Sequence, residues 1–274
     1  MIPAFRSELR KLFTTRLWWI LALVAFLLSA LLAFANVWAL ATQGYITPEG
    51  NATPFDQAPV DLQQEAIRGA YLFPTRFVTL LTMTIGVVLM GQEYRHKTIT
   101  GTFLATPNRW VAIAAKALSL VVIGFGYALV CLLGAVAGGA LMAAIKGISA
   151  NPGADVARPL LMAALMLTCW ALIGFGGALL LRNQILALVI LLPLTLIGST
   201  ALPLILLGFD WSNDLVRFLP SSASVLMTDP AEETFMGIAQ AKTLSWWQAL
   251  LVLLGWAGIF TVPGAIVTDR RDVT

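Results

Sequence analysis

His96 is the only histidine in the chain, and it stands in a stretch where charged, hydroxyl and apolar side chains are interleaved, from Gly91 to Trp110. Glu93 is followed at once by Arg95, His96 and Lys97, a spacing suited to an ion pair at a membrane edge. Ile99 and Phe103 are four residues apart, so a short helix here would carry both on one face, an apolar pair fit to dock in a partner's groove. Pro107 would end that helix. A passive connection is usually shorter and more uniformly polar. Elsewhere reactive chemistry is sparse. No carboxylate pair and no Cys/His cluster has metal-ligand spacing. No GxxxxGK[ST] loop is present, so the chain is expected to be non-enzymic and to hold no cofactor of its own. Uphill movement of a substrate would draw its energy from a partner. Cys131 and Cys169 both fall in apolar runs and are read as small buried residues rather than a bonded pair.

The elements that must position these residues follow from composition. The chain has 274 residues, 59% of them hydrophobic and only 11% charged, with a mean hydropathy of +0.85. Soluble domains carry roughly 25% charge, which excludes an ordinary soluble fold. A bilayer-crossing helix needs about 20 mainly apolar residues. Six runs qualify, at about 17–42, 71–92, 110–145, 159–181, 183–209 and 246–267. None alternates apolar with polar residues as a membrane strand would. The expected fold is an all-α integral membrane protein of six helices. The third run is over-long and should tilt or extend beyond the bilayer.

Loop charge orients the spans. With the N-terminus cytoplasmic, the inner segments hold eleven basic and four acidic residues, a net +7, and the outer ones a net −4. Both termini are therefore expected in the cytoplasm. The basic excess is a topology signal, and nucleic acid is not an expected partner because no basic face is clustered. Ala33-Phe34-Ala35 has the form of a cleavage site, but the run from Leu17 is longer than a typical signal core, and a retained anchor is expected. Ahead of it, residues 1–16 place Phe5, Leu9, Leu12 and Phe13 on one helical face, with Arg6, Arg10 and Lys11 around the remainder. Such a helix lies along the interface among membrane lipids, with its apolar side in the acyl boundary. The six-helix domain occupies 17–274.

The run from Gly91 to Lys116 has the core E-Y-R-H-x-T-I-T-x-T-F-L-A-T-P-x-R followed by Lys116. It resembles the permease subunits of ABC-2-type ABC transporters, and the six spans and N-terminal helix match that layout. The resemblance implies a plasma-membrane dimer, of two copies or of two homologous permeases. Cytoplasmic ABC ATPase subunits would hold ATP and Mg. It implies that 97–106 is a coupling helix docking on the ATPase. The residues carrying that role would be Glu93, Arg95, Lys97, Ile99, Thr100, Phe103, Leu104 and Arg109. It further implies a translocation path along spans 2 and 5 at the dimer interface, with Phe77, Thr84, Leu196 and Thr200 as lining candidates.

The span middles contain no Asp, Glu, Lys, Arg or His, which disfavours an ion-coupled carrier. Pro193 and Pro203 can kink span 5. A path of apolar residues with scattered hydroxyls would suit lipophilic or amphipathic substrates. Against that, threonine and serine in membrane helices often bond back to their own backbone. Gly134 and Gly138 have GxxxG spacing, and Gly174, Gly176 and Gly177 form another small face; both are read as packing. The segment 210–245 is either re-entrant or an outer cap, its distal part made acidic by Asp229, Glu232 and Glu233. A stand-alone carrier and an ATPase-coupled signalling subunit are the rival readings.

Overall fold

The computed structural model describes residues 5–10, 17–46, 52–105, 108–207, 213–228, 234–235, 238–239 and 244–270. Helix α1 covers 5–10, followed by α2 (Leu17–Gln43), α3 (Val60–Leu72), α4 (Thr75–Arg95) and α5 (Ile99–Ala105). Then come α6 (Arg109–Lys146), α7 (Ala157–Leu181), α8 (Gln184–Leu207), α9 (Asn213–Val216), α10 (Pro220–Thr228) and α11 (Trp246–Arg270). Two antiparallel pairs of two-residue strands, β1–β2 (Tyr45–Ile46, Ala52–Thr53) and β3–β4 (Thr234–Phe235, Ile238–Ala239), decorate the loops. Six helical stretches are long and apolar enough to cross a membrane. The chain is an all-α multi-pass membrane protein in the sense that length and composition define.

Helix boundaries follow local chemistry. Asn108 and Asn183 cap α6 and α8, their side-chain oxygens accepting from Val111 N, and from Ile185 N and Leu186 N. The third span is one unbroken helix of 38 residues. At 1.5 Å per residue it is about 57 Å long, so it outruns a hydrocarbon layer of roughly 30 Å. The second span differs from expectation. Helix starts at Val60, not near Tyr71, and is interrupted at Phe73–Pro74 before α4 resumes. Asp61, Glu65 and Arg68 lower the hydropathy of α3 and hid it. The break is where proline removes a backbone donor and disfavours helix at the residue before it.

The chain divides into two compact units. In the unit of residues 17–78 and 127–164, Val37, Phe55, Ile67, Tyr71 and Met142 form a buried cluster. The Tyr71 hydroxyl donates to Ala150 O at 2.8 Å, and the Tyr127 hydroxyl to Trp18 O at 2.7 Å. Gly134 and Gly138 press α6 onto the backbone of α2 at Phe26 and Ala30, so the GxxxG face is a packing face. In the unit of residues 1–16, 79–126 and 165–274, Gly86 of α4 abuts the Ala171 carbonyl, and Gly174 of α7 abuts the Met83 carbonyl. The short helix α10 packs on α11, burying Ser222, Ala223, Leu226 and Met227. Cys131 and Cys169 are buried free thiols.

Candidate functional site: the clamped base of the span 2–3 loop

The end of α4 is built to reverse sharply. Lys97 N donates to Tyr94 O at 3.3 Å and Thr98 N to Glu93 O at 3.0 Å, the paired bonds of a Schellman stop. Lys97 occupies the left-handed position with φ 56°, where glycine is the unstrained choice. This turn launches α5, seven residues long, between the second and third spans.

Beneath it lies a buried ionic triad. Lys116, on the second turn of α6, pairs with Glu93 of α4 and, at 2.7 Å, with Glu8 of α1. The side chains of Lys116, Glu93 and Glu8 are 7%, 8% and 16% exposed, so bulk water screens this group poorly. The triad fastens the N-terminal helix and both spans to one point. Arg95, His96 and Lys97, the neighbours expected to pair with Glu93, are exposed, and Lys116, 23 residues further on, forms an ion pair with it.

A second fastening involves the last helix. The final four carbonyls of any helix lack intrahelical donors. At the end of α11, Arg109 donates to Thr268 O at 2.8 Å and Asp269 O at 3.0 Å, and Arg182 donates to Val267 O. Guanidinium groups there also meet the negative end of the helix dipole. The Tyr94 hydroxyl lies 3.4 Å from the Thr268 hydroxyl. Arg109 additionally stands 5.5 Å from the Phe103 ring centroid, a cation–π contact that ties α5 to the same point. Arg182 reaches its carbonyl from a two-residue turn between α7 and α8, in the left-handed conformation with φ 53°.

Of the expected coupling residues, Glu93, Ile99, Phe103 and Arg109 belong to this base. Ile99 was expected beside Phe103 on a docking face, yet it is 3% exposed and holds α5 down. Phe103 is half-buried. Thr100 and Gly101 face outward on α5, with Arg95, Lys97 and Thr98 exposed at its root. The Leu104 side chain and Pro107 lie outside the described residues. So do Lys11, Leu12, Phe13, Phe209, Asp229, Glu232 and Glu233. Among the α1 residues described, Phe5 and Leu9 are half-buried while Arg6 and Arg10 are exposed. Lys116, Glu8, Tyr94, Arg182 and Thr268 were not anticipated as site residues. Lys116 carried a signal, a cation embedded in an apolar run; Glu8 carried none.

The path candidates divide by surroundings. Phe77 is exposed on the first turn of α4 and tilts against Phe73 with ring centroids 5.5 Å apart. The hydroxyl of half-buried Thr84 donates to Leu80 O at 2.7 Å. Leu196 is exposed on α8, and the Thr200 hydroxyl donates to Leu196 O at 2.9 Å. Both threonines are thus satisfied within their own helices. The helices α4 and α8 do approach one another: Thr195 donates to Met83 Sδ at 3.3 Å. No family model matches the chain, and no curated protein is significantly similar to it in sequence.

Proposed function

We propose that this chain is the membrane-spanning permease subunit of an ATP-driven exporter of the ABC-2 type, with both termini cytoplasmic in the plasma membrane. The observation that carries the reading is α5, a short helix held rigidly between two spans. Its root is locked by the Glu8–Lys116–Glu93 triad and by Arg109 on the end of α11. A cytoplasmic ATPase pushing on a loose loop would move only the loop. Pushing on α5, it moves α4, α6 and α11 together. The docking surface is Thr100 and Gly101 with the exposed cations Arg95 and Lys97, together with the open edge of Phe103.

The ATPase partner holds ATP and Mg, and a second permease copy or a homologous one completes the path. Leu196 and the neighbouring apolar residues of α8 form a surface without charge, which favours lipophilic or amphipathic cargo. The test is affinity purification in mild detergent from the native host, followed by transport in proteoliposomes. An ATP-hydrolysing subunit should co-purify, and Phe103→Asp should release or uncouple it while the permease stays folded. Purification free of any ATPase, with flux driven by an ion gradient alone, would refute the reading.

A further inference from the structure

A cavity of about 130 Å³ lies within the unit of residues 1–16, 79–126 and 165–274, enclosed by α7, α8, the α9–α10 connection and α11. Its walls are the rings of Trp170, Trp256 and Phe260 with Leu191 and Leu219. Both indole N–H groups are already engaged, Trp170 with Ser224 Oγ and Trp256 with Phe218 O, each at 2.9 Å. The rings therefore offer only apolar surface. Gly198 of α8 forms part of the wall, and a Cβ there would meet nothing within 4 Å. Ser221 supplies the contrast. This residue lines the cavity, and its hydroxyl oxygen is shielded from solvent and has no hydrogen-bond partner among the described residues. A buried hydroxyl without a partner costs free energy that a ligand could recover. Leu194 and Leu202 stand at the rim on the exposed face of α8, so the cavity opens where that helix meets acyl chains.

We infer that this cavity is a binding site for an uncharged ligand with an apolar body and one hydroxyl or carbonyl, which engages Ser221. Its size matches an apolar cavity of about 150 Å³ that accepts benzene in another protein. Aromatic walls favour a flat ring or the upper part of an acyl chain beside its ester. The site uses the face of α8 that carries Leu191, Leu194 and Gly198; Leu196 and Thr200 lie on a different one, so it is separate from the proposed path and independent of any ATPase. Two sources carry this chemistry: a bilayer lipid and a small phenol-like solute.

Photolabelling of the intact chain in vesicles distinguishes them, with one arm a diazirine-bearing alkylphenol and the other a phosphatidylcholine with the diazirine in its acyl chain. Saturable labelling should fall on peptides from α8 and α10 in at least one arm, and the arm that labels identifies the source. Gly198→Leu, which fills the cavity, should cut that labelling at least tenfold. Ser221→Ala should weaken competition by an unreactive alkylphenol or monoacylglycerol about fivefold, roughly one hydrogen bond. This second variant barely perturbs packing and stands even if Gly198→Leu fails to fold. Non-saturable labelling spread over the exposed residues of α8, or labelling unchanged in both variants, would overturn the assignment.

Discussion

Lys116 is the residue on which the loop base depends most. Its ammonium pairs with two carboxylates that are shielded from water, so removing it takes away the cation that Glu8 and Glu93 share. Breaking a buried pair by deleting one partner typically costs about 3–5 kcal/mol. Lys116→Met should therefore lower the unfolding midpoint in detergent sharply. Adding Glu93→Gln to it should recover part of the loss, because the charge left behind is then neutralised. A double variant no more stable than Lys116→Met alone would contradict a triad of this kind. Glu8→Gln should cost less, as Glu8 is the most exposed of the three. Lys97 offers the opposite case. Its φ of 56° disfavours any side chain, so Lys97→Gly should leave the turn intact and raise stability by about 1 kcal/mol, read from the same melts.

Helices meet here where glycine lets backbone approach backbone. A side chain at Gly138 would meet the Ala30 carbonyl, whereas at Gly126 it would meet nothing within 4 Å. Gly138→Leu should separate α2 from α6 and reduce the yield of folded protein, while Gly126→Ala should change stability by no more than about 1 kcal/mol; size-exclusion profiles of the two variants in detergent compare them. The two elements also show what could be read from the chain alone. Six spans were legible because long runs without charge admit one solution in hydrocarbon. The glycine spacing on the third span was legible as packing, but its partner, Phe26 to Ala30, was not. Helix α3 escaped because Asp61, Glu65 and Arg68 make it read as a loop. Within the site, Glu93 and Arg109 stood out as charges at span ends. Their partners did not: Glu8 lies 108 residues from Lys116 and Thr268 lies 159 from Arg109. Local periodicity carries no information across such distances. Spacing puts Ile99 on a face with Phe103 without saying which face is covered, and in the structure Ile99 is buried.

At the scale of the whole molecule, the charge asymmetry predicts which surface faces the cytoplasm. Thr100→Cys should react with a membrane-impermeant maleimide only from the cytoplasmic side, and Asn151→Cys only from the opposite one; both positions are exposed. The reverse pattern would invert the topology. Native Cys131 and Cys169 are 2% and 4% exposed, so the background should stay quiet without replacing them. The capping of α11 has a bearing on how the protein is made. Arg109 and Arg182 leave the ribosome long before the carbonyls of Val267, Thr268 and Asp269 that receive them. Until the last span is made, both guanidinium groups lack these carbonyl acceptors. A nascent chain halted after Ser245 could insert five spans yet would present this incomplete end to the machinery that degrades orphaned membrane proteins. Maturation of the loop is thereby deferred to the final moments of synthesis.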